Sequence, residues 1–324
     1  MTRTAPEDAG APWVGVLEVV AAASLWGSSG VFSVSLFRMG VPPETLALFR
    51  PLFGAAGLLA WALVRRTTTD GDTGSDARPS GSPARLDGTA LLVLLGLGGA
   101  VMAVFQIAYQ LSTDAVGVPS TVALLYLAPA LVVGAAGPLL GEWPTARRVA
   151  LAGLVVGGVW LSVLGAQEVA TEFGSRGVGW GVLAAAGYAG YTVFGRVATP
   201  RWGSRATVTW STVGSVGILL VLVPWLFDGV PLPGTPAAWG LLAVYGILTV
   251  AVAQYLFFDA LGRLEASRVS IAASSEPVVA ALLATLLLGQ GLEPLGWVGL
   301  AVVVVGVTGV AGTRPDDARV SAQR

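Results

Sequence analysis

Cysteine, histidine and lysine are all missing from this 324-residue sequence. Without cysteine there is no disulfide framework, thiolate metal site or cysteine nucleophile. Without histidine, the commonest general base, the Ser-His triads and the histidine zinc sites are gone. Without lysine, all 18 basic residues are arginine, and neither a Walker A loop nor a retinal Schiff base can be built. An ATP-driven pump within this chain and a rhodopsin-like light receptor are thereby excluded. Charge of either sign is scarce, at 11% of residues against about 25% in soluble domains. The net charge of −1 provides no basic field for nucleic acid, so no nucleic-acid partner is expected.

What the chain has instead is apolar surface. Hydrophobic residues make up 54% of it, with mean hydropathy +0.75. A soluble fold of this length could not hide so much from water, whereas in a bilayer the outer faces of helices are apolar as well. Arg3 is followed by Glu7 and Asp8, and the apolar run from Trp13 continues to about Phe37. That run exceeds a signal-peptide core of roughly 7–15 residues, so it reads as a retained first helix.

A membrane span needs roughly 20 mostly apolar residues, and long runs without alternation mean helices. The expected spans are Trp13–Leu36, Glu44–Val64, Thr89–Leu111, Val118–Leu140, Arg148–Ala166, Val178–Ala198, Ala206–Phe227, Ala237–Phe258, Arg268–Leu288 and Leu295–Gly312. With the N-terminus inside, 15 of the 18 arginines fall in cytoplasmic segments. Arg38 and Arg176 fall outside and Arg50 lies within a span. This bias supports ten spans with both termini cytoplasmic. Thr67–Gly88 and the tail after Thr313 are polar and Gly/Ser/Asp-rich, and are expected to be disordered cytoplasmic segments.

Two stretches echo each other. Tyr126-Leu127-Ala128-Pro129 runs on to Gly141-Glu142, and Ser274-Ser275-Glu276-Pro277 runs on to Gly289-Gln290, with the same Pro-to-Gly spacing. Five spans per half place the halves in opposite orientation, an inverted repeat of the kind on which secondary transporters are built. Pro129 and Pro277 should kink their helices near mid-span. Gly27 and Gly30, Gly153 and Gly157, and Gly187 and Gly190 read as seams where helices approach closely.

On these residues the chain resembles the EamA-type branch of the drug/metabolite transporter superfamily. The resemblance is carried by Leu25-Trp26-Gly27, Pro42-Pro43 with Arg50, Pro129 to Gly141-Glu142, Gly187-Tyr188-Ala189-Gly190-Tyr191, Asp259-Ala260-Leu261 and Glu276-Pro277 to Gly289. It departs at Gln290, where the family's second Gly-Glu pair would place glutamate. The resemblance implies an all-α fold of ten transmembrane helices in two inverted five-helix repeats, residues 13–166 and 178–312, between tails 1–12 and 313–324. It implies proton-linked or facilitated movement of amino acids or other small metabolites, often export, in the plasma membrane. The expected partners are the lipid bilayer and a small-molecule substrate, with no cofactor or metal; a homodimer is compatible with the sequence.

Candidate functional residues follow from cost. A carboxylate in hydrocarbon costs at least a few kcal/mol, so Glu276, about 12 Å into its span, should face a cavity or a partner. It is a candidate for binding a substrate amine or carrying a coupling proton. Arg50, about 10 Å from the outer end of its span, can attract an anionic group, snorkel outward or pair with carbonyls freed near Pro51. Glu18, near the inner end of the first span, reads as a contact to another helix or as a proton relay. Glu142, at the end of the fourth span, reads as structural, with Arg147 and Arg148 close enough to pair with it. Trp26, Gln106, Tyr109, Tyr126, Tyr188, Tyr191, Gln254, Tyr255 and Ser275 are the candidate cavity lining, since aromatic and amide walls suit small amphipathic ligands. Two other classes compete with a transporter. A membrane-embedded enzyme acting on lipid would need catalytic clusters the sequence lacks. A passive channel or scramblase is disfavoured by the inverted halves and the mid-span carboxylate.

Overall fold

The computed structural model describes residues 12–69, 86–164, 175–227, 229–288 and 293–311. Every regular element among them is helical. The first part of the chain forms α1 (Pro12–Gly27), α2 (Ser29–Arg38), α3 (Pro43–Thr69), α4 (Gly88–Leu92), α5 (Gly99–Leu125), α6 (Ala128–Leu140) and α7 (Ala146–Leu164). The second forms α8 (Ser175–Trp202), α9 (Ser204–Leu226), α10 (Pro236–Gly246), α11 (Ala253–Arg263), α12 (Ala266–Ala273), α13 (Glu276–Leu288) and α14 (Pro294–Ala311). Two π-helical segments, Val93–Gly98 and Ile247–Val252, join α4 to α5 and α10 to α11.

Six helical stretches are long and apolar enough to cross a bilayer: Trp13–Arg38, Pro43–Val64, Gly88–Thr113, Ser204–Leu226, Pro236–Arg263 and Ala266–Leu287. They coincide with six of the ten expected segments, and Ala128–Leu140 and Pro294–Gly309 are shorter apolar helices. Helix starts are set by side-chain caps: Asp87 Oδ1 accepts from the Ala90 amide at 2.7 Å and Thr235 Oγ1 from Ala238 at 3.2 Å. Each such cap satisfies one of the amides left open at a helix start. Of the expected disordered loop, Thr67–Thr69 prolong α3, Asp87 caps α4, and 70–85 lie outside the described residues, as does the tail from 312.

Unlike a soluble protein, the bundle is apolar on its outer surface as well as in its core, and its polar side chains are taken inside. Trp225 and Leu286 are 76% and 77% exposed, whereas Gln106, Gln254, Thr192, Thr207, Ser211 and Thr212 are buried. Apolar outside with hydroxyls and amides inside is the arrangement that lipid favours and water does not.

The regular helices stop four residues before Pro129 and Pro277, at Leu125 and Ala273, and restart at Ala128 and Glu276, so each helical path is interrupted just ahead of its proline. Each proline then occupies the first turn of the new helix, where its missing N–H costs nothing. The two breaks match: Tyr126 has φ −73°, ψ 5° and Ser274 has φ −70°, ψ 8°. In addition, α5 is not one straight rod. Thr121 Oγ1 donates to Ser112 Oγ at 2.9 Å, although nine residues of straight helix span roughly 13 Å. The chain therefore reverses between them, which separates the third expected segment from the fourth.

Glycine lets several helix pairs touch backbone to backbone. A Cβ on Gly27 would meet the Glu276 carbonyl oxygen at 2.9 Å, one on Gly187 the Phe105 amide at 2.9 Å, and one on Gly158 the Gly299 carbonyl at 2.9 Å. Gly30, Gly153 and Gly157, expected at seams, have open space instead. Along α7 it is the next residue, Gly158, that faces α14.

Candidate functional site

At the level of the helix breaks, Trp26, Ser29, Arg50, Phe105, Tyr109, Leu125, Tyr188, Tyr191, Gln254 and Glu276 surround one cavity. A smaller adjoining space is lined by Tyr126, Pro129, Ser270 and Ser274 and shares Leu125, Tyr188 and Glu276 with it. The walls are mainly aromatic. Tyr188 and Tyr191 lie on one face of α8 with ring centroids 4.8 Å apart, and Phe105 sits 5.9 and 5.6 Å from them. Trp26 closes the other side, 6.2 Å from Tyr188 and 5.2 Å from Phe257.

The π-helical segment Ile247–Val252 organises the polar side of this cavity. A widened turn disturbs the regular backbone ladder and is frequent at functional sites. Here the Trp26 indole Nε1 donates to the Thr249 carbonyl at 2.7 Å, and Arg50 Nε donates to Thr249 Oγ1 at 3.0 Å. Thr249 Oγ1 in turn donates to the Tyr245 carbonyl at 2.8 Å. The Arg50 guanidinium lies 4.7 Å from the centroid of the Tyr245 ring, within cation–π range. Arg50 is 7% exposed, so it does not snorkel. Its remaining N–H groups are available to an anionic group in the cavity.

Glu276 is the first residue of α13, where a carboxylate meets the positive end of the helix dipole. Its side chain is enclosed by the bundle yet partly open to the cavity. Arg50 and Glu276 lie within electrostatic reach of each other but form no ion pair among the described residues. The Tyr126 hydroxyl is buried and within electrostatic reach of Glu276. The space open to water centres in the main cavity is only ≈ 30 Å³. That is room for two or three waters at roughly 10–15 Å³ each, so the site is constricted in this conformation.

Seven of these eleven candidates, counting Arg50 and Glu276 with the lining residues, thus meet at the main cavity: Trp26, Arg50, Tyr109, Tyr188, Tyr191, Gln254 and Glu276. Tyr126 lines the adjoining space. Ser275 sits in the α12–α13 break with its hydroxyl buried and unpartnered, and lines neither space. Tyr255 points elsewhere, against Trp61 at 4.9 Å. Gln106 is buried outside the lining. Phe105, Ser29 and Thr249 were missed. Phe105 and Ser29 carry no charge to single them out, and nothing in a threonine marks a π-helical turn.

At the end of the bundle where α1, α7, α9 and α12 begin, ion pairs tie the first part of the chain to the second. Gly141, at φ 69°, ends α6 in a left-handed cap, its amide donating to the Gly137 carbonyl at 2.9 Å and the Glu142 amide to that of Ala136 at 3.1 Å. The turn sends Glu142 outward to Arg196 at 2.6 Å and to the Ala266 amide at 3.1 Å, capping α12. Glu142 therefore does not pair with Arg147 or Arg148, as sequence proximity had indicated. Arg148 is buried in an ion pair with Glu265, and Arg147 Nη2 donates to the Gly309 carbonyl at 3.3 Å. Glu18 lies 3.3 Å from Arg263, which also holds Asp259 at 2.5 Å. Glu18 is thus part of this cluster and does not line the cavity. Among the described residues no group of acidic side chains could hold a metal ion.

Comparison with known proteins places the molecule. The EamA-like transporter family model matches residues 13–164 and again 175–312. The chain belongs to that family, within the drug/metabolite transporter superfamily. It is 25% identical over 292 residues to the uncharacterized transporter YwfM of Bacillus subtilis, covering 90% of this chain and 91% of that one. It is 25% identical over 303 residues to the uncharacterized inner membrane transporter YicL of Salmonella typhimurium, covering 90% and 93%. A solved crystal structure superposes with a TM-score of 0.73 at 20% identity, over 92% of this chain and 96% of the other, which shows a shared fold. Family membership and the apolar helices together make this a multi-pass membrane protein of a transporter class.

Proposed function

We propose that this protein is a secondary transporter that moves a small amphipathic metabolite, such as an amino acid or a drug-like compound, across the plasma membrane by alternating access. The observation that carries the reading is the cavity itself. It sets a guanidinium, Arg50, and a carboxyl group, Glu276, on either side of a space walled by aromatic rings. Such a site recognises a ligand with separated opposite charges and an apolar body. Arg50 would take the anionic end and Glu276 the cationic end. When no cation is bound, Glu276 would carry the proton exchanged for it, which couples export to the proton gradient.

The transport cycle rests on ten spans, five before residue 166 and five from 178, related by inverted topology, with both termini and the arginine-rich end in the cytoplasm. Three features support this: the matched helix breaks at Tyr126 and Ser274, the family model matching twice, and the arginine distribution. The Glu142–Arg196, Arg148–Glu265 and Glu18–Arg263 pairs cross between the two stretches and would close the cytoplasmic side. Alternation then requires these pairs to part while the cavity opens inward.

The test is uptake and efflux of a labelled metabolite panel in proteoliposomes, with and without a pH gradient. Gradient-dependent, saturable movement that Glu276→Gln abolishes, with the variant still folded, is the expected result. Flux that is unsaturable and indifferent to Glu276→Gln would point to a channel or scramblase instead.

A further inference from the structure

A second and much larger recess, of ≈ 880 Å³, lies at the ion-paired end of the bundle. It shares no residue with the central cavity. Leu59, Ala62 and Leu63 of α3, Leu86, and Trp202 and Trp210 form apolar walls. Its polar end is made by Gly203, Ser204, Arg205 and Ala206, which are the start of the 23-residue helix α9. Gly203 gives that helix no side-chain cap, so its first amides and its positive dipole end face the recess.

Three observations say what this recess takes. First, Arg205 is exposed, has no ion pair among the described residues, and stands 4.7 Å above the Trp61 ring. Stacking on a ring leaves the N–H edge of a guanidinium free to bind phosphate oxygens. Second, Thr209 lines the recess, is 4% exposed, and its hydroxyl is buried with no hydrogen-bond partner. A buried hydroxyl without a partner is unfavourable and is relieved by a polar ligand atom. Third, the one carboxylate in the lining, Asp259, is turned to Arg263 at 2.5 Å, which it shares with Glu18, and accepts from Ser204 at 2.6 Å. The recess therefore has an arginine and a helix N-terminus at its head, one unmet hydroxyl and a greasy body, at the depth where the apolar spans end.

We propose that this recess is a binding site for an anionic phospholipid. Its phosphate lies against Arg205 and the first amides of α9, its ester region against Thr209, and an acyl chain along α3 between Leu59 and Leu63. Basic pockets between membrane helices recognise anionic headgroups in this way. Tyr255, expected at the transport cavity, belongs to this wall. Its ring on Trp61 steadies the same indole on which Arg205 rests.

The experiment is native mass spectrometry of the full-length protein in mild detergent. It is titrated with dioleoyl phosphatidylglycerol, with dioleoyl phosphatidylcholine, and with phosphatidylglycerol in the presence of inorganic phosphate. The expected result is about tenfold preference for phosphatidylglycerol, the size set by one arginine and one helix terminus. Arg205→Gln should reduce the preference to about twofold, and Arg205→Lys should keep most of it. Thr209→Val should weaken retention of phosphatidylglycerol several-fold, and Ala62→Trp, which sets an indole in the proposed acyl-chain path between Leu59 and Leu63, should weaken the tight site. Equal retention of the two lipids, an Arg205→Gln variant with undiminished preference, or displacement of the lipid by inorganic phosphate alone would each overturn the proposal. Arg205 is exposed, so replacing it leaves the packed core intact and the result readable.

Discussion

Thr249 carries more of the site than its chemistry suggests, because one residue holds both the Trp26 indole and the Arg50 guanidinium. Replacing Arg50 by lysine removes the planar group that stacks on Tyr245 and bonds Thr249 at once. Apparent substrate affinity should fall about tenfold or more, since a charge-assisted hydrogen bond alone is worth about 1.5–3 kcal/mol. A concentration series of transport rates checks this, and Thr249→Val should reproduce part of the loss by releasing Arg50. Tyr255→Phe should leave apparent affinity within about twofold, because Tyr255 lies against Trp61 and not in the cavity. Glu276 and Arg50 stood out in the sequence because a charge inside an apolar span is costly. The aromatic lining was partly legible for the same reason, but Tyr255 and Ser275 shared the composition of true lining residues and differ only in the direction they face.

Among the elements, the left-handed turn at Gly141 and the helix start at Ala266 form one unit, because Glu142 bridges them. Glu142→Gln should weaken both the Arg196 ion pair and the cap of α12, shifting the bundle toward opening at the arginine-rich end. The chain has no native cysteine, so a single Ser267→Cys, at a site with 0% exposure, reports that opening directly. Maleimide labelling should be slow in the parent and several-fold faster with Glu142→Gln; equal rates would mean that the pair does not hold this end shut. Packing at the α7–α14 crossing gives a separate test. Gly158→Val would drive side-chain carbons into the Gly299 carbonyl, already 2.9 Å from a Cβ, at an overpacking cost of about 1–3 kcal/mol. A lower midpoint of thermal unfolding in detergent is the expected readout, while Gly157→Ala, facing open space, should be silent.

For the molecule as a whole, the exposed belt that includes Leu92, Val221, Trp225 and Leu286 is stable against acyl chains and unstable against water. The purified protein should therefore be monodisperse in detergent and aggregate when detergent is removed. Reporter fusions inserted within residues 70–85 should read as cytoplasmic, following the arginine bias; an external signal would invert the proposed orientation. The ion pairs between early and late parts of the chain sit at a single end, so the closed side of the transporter and the proposed lipid site share one leaflet. In the proposed orientation that leaflet is the cytoplasmic one, whose anionic headgroups attract arginine.

The amino-acid sequence by itself determined the medium, the helical class, the positions of six long apolar helices to within a few residues, and the cost of Glu276 and Arg50. Each of these follows from local composition, because lipid and backbone hydrogen bonding act on every segment separately. The directions in which helix faces point were decided only by the tertiary structure. In a membrane helix the lipid-facing and protein-facing sides are both apolar, so no polar stripe marks the inner face. Contacts between helices set that rotation. They brought Thr249 to Arg50, turned Glu142 toward Arg196 instead of its neighbours in sequence, and sent Tyr255 out of the cavity.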